Sequence, residues 1–180
     1  MAAANPPENL DINDSANQYR LMCTTADEAE AAGELKKASM ANRSAAERAA
    51  RLGLHEGAYE RAAKAAQQAR SVIGSLDNPE DISRMRANAA HCSILAGKSA
   101  MVVSRQKGEE PGPEDEGSWW SRSIGQFTEA QALIRRLLKE GADVARLRSL
   151  FTSEKKIIQD PQVERMLDLD APAKPRRNRT

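Results

Sequence analysis

Gly57–Ile73 reads GAYERAAKAAQQARSVI. From Gly57 the apolar and small residues recur at Tyr59, Ala62, Ala66, Ala69 and Ile73. Gaps of three and four place them on one face of an α-helix. That face is paved mainly with alanine. So little side-chain volume lets neighbouring helices approach closely, which suits helical hairpins that stack.

The rest of the chain agrees with this class. Only 3% of its 180 residues are aromatic, so the core is expected to be thin and aliphatic. Length is sufficient, since a chain of roughly 150 residues buries about 70% of its unfolded surface. Alanine has the lowest helix cost, with Arg, Lys, Glu and Gln close behind, and these fill the segments between turn signals. Val, Ile, Thr and Tyr form no runs at period two. The expected fold class is all-α, built of antiparallel helical hairpins.

Turn residues divide the chain. Residues 1–13, with Pro6-Pro7 and scattered acids, are expected to be disordered. Asp14 or Ser15 would cap a first helix to about Ala32, with Gly33 as its stop. A second helix runs from about Glu34 to Leu52, with Leu35, Ala38, Ala45, Ala49 and Leu52 on one face. Gly53 and Gly57 bracket a turn before the third, about Ala58 to Ile73. Asn78-Pro79-Glu80-Asp81 is an N-cap, a proline in the first helical position and two acids beside the positive helix end. The fourth helix should present Ile82, Met85, Ala89, Cys92 and Ala96, and continue past Gly97 to about Gln106, because one glycine costs only about 1 kcal/mol.

KGEEPGPEDEG, residues 107–117, reads as a solvated acidic loop. Ser118 caps a fifth helix presenting Ile124, Phe127, Ala130, Ile134 and Leu137 as far as Gly141. A short helix near Val144–Phe151 and another capped by Asp160-Pro161 complete a helical domain spanning 14–169. Residues 170–180 form a basic tail, expected to be disordered.

Two stretches carry a resemblance. Gly57-x-Tyr59-x-x-Ala62, then Ala66 and Ala69, is similar to the second helix of a tetratricopeptide (TPR) repeat. Gly125-x-Phe127-x-x-Ala130, then Ile134 and Leu137, is similar as well. Ala46, Ala49 and Ala50 sit where the preceding helix of such a repeat places small and apolar residues, and Asn88-Ala89-Ala90 with Gly97 resembles the first helix of another unit. The part from Arg84 to Leu169 also resembles degenerate TPR-like tails of some large bacterial kinases. The resemblance implies a short, degenerate TPR-like α-solenoid. Gly57 to Gly97 is 40 residues and Gly97 to Gly125 is 28, against a TPR period of about 34. A second resemblance, over Ala45–Lys98, is to the three-helix microtubule-interacting-and-transport (MIT) domain. A plain compact bundle is the third alternative.

Composition narrows function. The net charge is +1, from 27 basic and 26 acidic residues, which provides no global field toward nucleic acid or an anionic membrane. Two cysteines make no disulfide framework, and Cys92 on an apolar stripe is expected to be a buried thiol. No apolar run reaches about 18 residues, so no membrane span is expected. Met1–Asp14 lacks the cationic start and apolar stretch of a secretory signal, and a cytoplasmic setting follows as the expectation.

Catalysis finds little support. His55 falls in an expected exposed turn. His91 adjoins Cys92, but neighbours one apart on a helix diverge. The spacing of Cys23, His55, His91 and Cys92 pairs no metal ligands. No enzyme, metal or cofactor is expected.

Binding is better motivated. Arg84, Asn88 and His91 share one face of the fourth helix, rotated away from its apolar stripe. In TPR arrays the first helix of each hairpin lines a concave groove. An Asn there can bond a peptide amide in both senses, and an Arg can take a carboxylate bidentately. Arg43 and Arg48 are further candidates. Of the adjacent Trp119 and Trp120, one should enter the core while the other can anchor a partner. The expected role is a non-enzymatic interaction module for a peptide or partner helix. The alternative is nucleic-acid association through Lys174, Arg176, Arg177 and Arg179, which would be weak and salt-sensitive.

Overall fold

The computed structural model describes residues 11–109 and 117–170, with side chains from residue 14. The expected disorder of the first ten residues, most of the acidic loop and the basic tail beyond residue 170 lie outside the described residues. The described chain is all-α: α1 (Asp11–Ala31), α2 (Leu35–Arg51), α3 (His55–Ile73), α4 (Pro79–Gln106), α5 (Trp119–Lys139), α6 (Ala145–Glu154) and α7 (Pro161–Met166), with a 3-10 turn at Lys155–Ile158.

The helix starts follow the expected caps. Asn78 Oδ1 accepts from the Glu80 amide at 2.9 Å, Ser118 Oγ from the Ser121 amide at 3.1 Å, and Asp160 Oδ1 from the Gln162 amide at 2.8 Å. Each satisfies an N–H that has no partner inside its helix. Two starts differ from expectation. α1 begins at Asp11, ahead of Asp14, and α3 begins at His55, ahead of Ala58. The second difference has a local cause. Gly53 takes φ +75°, which lets the Leu54 amide turn back to the Ala49 carbonyl at 2.9 Å and releases the chain into α3 at once.

Each helix from α1 to α5 packs on the next in the chain. Alternate helices meet through longer side chains. Asp27 of α1 reaches Arg61 of α3 at 2.6 Å, Ser39 of α2 meets Asn88 of α4 at 3.0 Å, and Glu129 of α5 meets Arg70 of α3 at 2.5 Å. The stack therefore zigzags between two layers, α1/α3/α5 and α2/α4, and α6 closes against α4 and α5. Successive helical hairpins packed side by side are what the alanine faces anticipate.

Two cores result. Between α2, α3 and α4 lie Ala46, Ala62, Ala65, Ala66, Ala69, Ala89 and Ala96, all fully buried. Between α4, α5 and the C-terminal turns lie Trp120, Phe127, Ile134, Leu137, Phe151 and Leu167. The thin aliphatic core expected from the aromatic share is thus true of one half only. Both phenylalanines sit in the other half, edge to face at 6.1 Å.

α4 continues through Gly97 as expected, and the glycine has a packing reason. A Cβ there would lie 2.9 Å from Phe127 Cδ2, and the Ser123 hydroxyl donates to the Gly97 carbonyl at 2.7 Å. The expected single stripe on α4 is incomplete. Arg86, Ala90, Gly97, Met101 and Ser104 are buried too, because α4 lies between α3 and α5.

Candidate functional site: an apolar groove beside a closed polar network

The groove is formed where α2 begins. Gly33, at φ +75°, breaks α1 from α2, and the Glu34 amide bonds back to the Ala29 carbonyl at 2.8 Å. The chain then enters α2 without a side-chain cap. Leu35, Met40, Ala41 and Ser44 of α2 face Ser71 and Val72 of α3 and Ser75 and Leu76 after it, around a volume of about 1040 Å³. Met40 is 59% exposed there, far more than a core methionine. Lys36 and Lys37 stand on the rim; Lys37 pairs with Glu34 at 2.9 Å and Lys36 approaches Asp81 at 3.9 Å. Such a site offers apolar contact to a guest side chain, with a polarizable methionine to adapt to its shape.

The residues expected to form a groove lie elsewhere, on the α2/α4 layer. Three of them come together. The Arg43 guanidinium donates to Asn88 Oδ1 at 3.1 Å and pairs with Glu47 at 2.9 Å. The Asn88 amide donates to Ser39 Oγ at 3.0 Å, and Ser39 donates on to the Ala65 carbonyl at 2.9 Å. His91 Nε2 lies 3.3 Å from Glu47. Both ends of the Asn88 amide are therefore engaged within the protein, tying α4 to α2 and, through Ser39, to α3.

Electrostatics follow from that enclosure. Burial and then the Arg43 cation hold His91 below its ordinary value, with Glu47 acting in the opposite direction. Burial pushes the adjacent Cys92 thiol up to about 12, so it is a protonated core group, as expected for an apolar stripe.

The other four expected residues lie apart from this network. Arg84 is exposed and bonds Glu80 one turn earlier at 2.5 Å. Arg48 reaches across to α1, meeting Gln18 at 2.5 Å and Ser15 at 3.2 Å. Trp120 is buried in the C-terminal core. Trp119 is half-buried, edge-on to Tyr59 at 5.2 Å, with the Lys107 ammonium 5.0 Å and the Arg122 guanidinium 4.8 Å from its ring centre. This cluster lies on the α3/α5 layer, away from Arg43 and His91.

His55 departs from the exposed turn expected of it. It is the first residue of α3 and half-buried, with Nδ1 enclosed and unbonded; burial and then Lys98 hold it below its ordinary value. Among the described residues no three His, Cys, Asp or Glu side chains converge as a metal site, and no helix is long and apolar enough to cross a membrane. No family model matches the chain, and neither the curated proteins nor the solved structures provide a match.

Proposed function

We propose that this chain is a non-enzymatic interaction module that seats a peptide or partner helix in the groove between α2 and α3. The observation that carries the reading is the exposed Met40, flanked by half-buried Leu35 and Leu76, in a concave space large enough for several side chains. A stack of hairpins supports such a role, since helices that bury their small residues against one another leave an extended outer face. The degenerate TPR-like description is part of the proposal. In its favour are the zigzag stacking and Gly57, which opens α3 close against Tyr19. Gly125 fits less well: it lies inside α5, with open space where a Cβ would stand. Unpaired Cys23 and Cys92 suit a reducing, cytoplasmic setting.

The test is a comparison of affinity captures from native lysate by wild type and by Met40→Glu. The expected result is a partner retained by wild type and lost by the variant, with unchanged helicity and melting temperature. The same proteins held equally by both would defeat the groove assignment.

A further inference from the structure

We infer that α1 is an exchangeable strap, packed along α2 and fastened to α3 by ion pairs, and that the furrow between α2 and α3 accepts in its place a partner helix of the same pattern. The apolar seam under α1 is small. Among its described side chains only Ala26 and Ala29 are buried. By contrast, α5 buries Phe127, Ile134 and Leu137 along with four other residues.

α1 packs along α2, and what joins it to α3 is polar. The Arg61 guanidinium grips both oxygens of Asp27, at 2.6 and 3.2 Å. Lys64 pairs with Glu30 and lies 3.9 Å from Asp27. Both cations belong to α3 and both acids to α1. Asp27 is 53% exposed, so this fastening is open to screening by salt. The close fit of Tyr19 over Gly57, where a Cβ would come within 3.1 Å of the hydroxyl, marks the other end of the track.

Continuity with the groove points to a guest. The α3 ridge that meets α1 at Gly57, Arg61 and Lys64 continues at helical spacing to Gln68, Ser71, Val72 and Ser75. The last three line the open groove. α1 turns away at Gly33, so the groove is the part of the furrow that the strap leaves uncovered. The matching guest is an acidic amphipathic helix carrying alanine followed directly by a carboxylate, repeated three residues on, as in Ala26-Asp27 and Ala29-Glu30. Its acids would meet Arg61 and Lys64, and a longer helix would extend over Met40 and Val72.

Two measurements on the full chain test this. In hydrogen exchange, raising the ionic strength, or the double substitution Asp27→Lys with Glu30→Lys, should speed amides 14–31 at least about tenfold while α3–α5 keep their protection. A fluorescent peptide of residues 11–31 should then bind the double variant at least about tenfold more tightly than wild type, whose furrow is already occupied. The strap is refuted if α1 exchanges in step with α4 under every condition, or if the double variant loses protection throughout. Opening of α1 without tighter peptide binding refutes the exchange. The peptide arm shares a furrow with the proposed groove, but the two readings fail separately: Met40→Glu tests the groove with α1 in place.

Discussion

The two halves of this molecule solve the same packing problem with different materials. From α2 to α4 the helices meet on alanine, and the buried polar groups form a ladder. Arg61 donates to Asn42 at 3.1 Å, Asn42 donates to Gln68 at 3.0 Å, and Ser39 ties to Ala65. From α4 to α7 they meet on phenylalanine, isoleucine and leucine. There buried polar groups bond between elements as well: Ser123 donates to the Gly97 carbonyl at 2.7 Å, and Gln131 to the carbonyls of Met166 and Asp168 at 3.2 and 2.9 Å. Burial stabilises by about 0.8 kcal/mol per methylene, so the C-terminal half holds more of its free energy in each side chain. The alanine half has many small contacts and relies on hydrogen bonds to set its register.

The largest expected effect lies in the bulky half. Phe127→Ala should lose about 3–5 kcal/mol, read from urea unfolding, because Phe127 is fully buried between α4 and Phe151. A loss below about 1 kcal/mol would mean that this cluster is loosely filled and the contrast between the halves is false. The alanine half should fail in the opposite direction. Ala66→Leu adds volume where Ala65 and Cys92 already touch, and should cost about 1–3 kcal/mol in the same assay. A neutral or stabilising Ala66→Leu would show slack in the seam.

The smallest effect is a dependence on pH. Burial and Arg43 depress the folded pKa of His91, so the folded protein resists a proton that the unfolded chain takes up near pH 6.5. Stability should be complete above that pH and decline as the pH falls below it. His55 is shifted in the same direction. His91→Gln should flatten part of the fall in melting temperature between about pH 7 and 5.5. A slope identical to wild type would remove His91 from the account.

Much of the fold was readable because its signals are local. The Asn78, Ser118 and Asp160 caps and the glycine stops act within a few residues, and the alanine face of α3 spans a single helix. The second buried face of α4 was obscured by Arg86, a residue type that rarely enters a core. It does so here because Glu140, at the end of α5, forms an ion pair with it. Burial works against the charge on Glu140, yet hydrogen bonds from Arg136 and Arg86 hold its carboxyl low.

The candidate site was harder to read. Arg43, Asn88 and His91 do converge, but helical spacing cannot reveal that Ser39 and Arg43, more than forty residues earlier, occupy both sides of the Asn88 amide. The groove left even less trace. Met40 lies off the α2 stripe, and the concavity beside it depends on α1 turning away there.

That turn has a consequence for the course of α1. Gly33 holds a left-handed conformation that side-chain-bearing residues adopt at a cost. A β-branched residue in its place would strain that turn, and straightening would relieve the strain by joining Asp11–Arg51 into one rod about 60 Å long. The arm would then reach past its own furrow and leave it open. A single backbone angle thus decides whether α1 folds back over its own furrow or points beyond it.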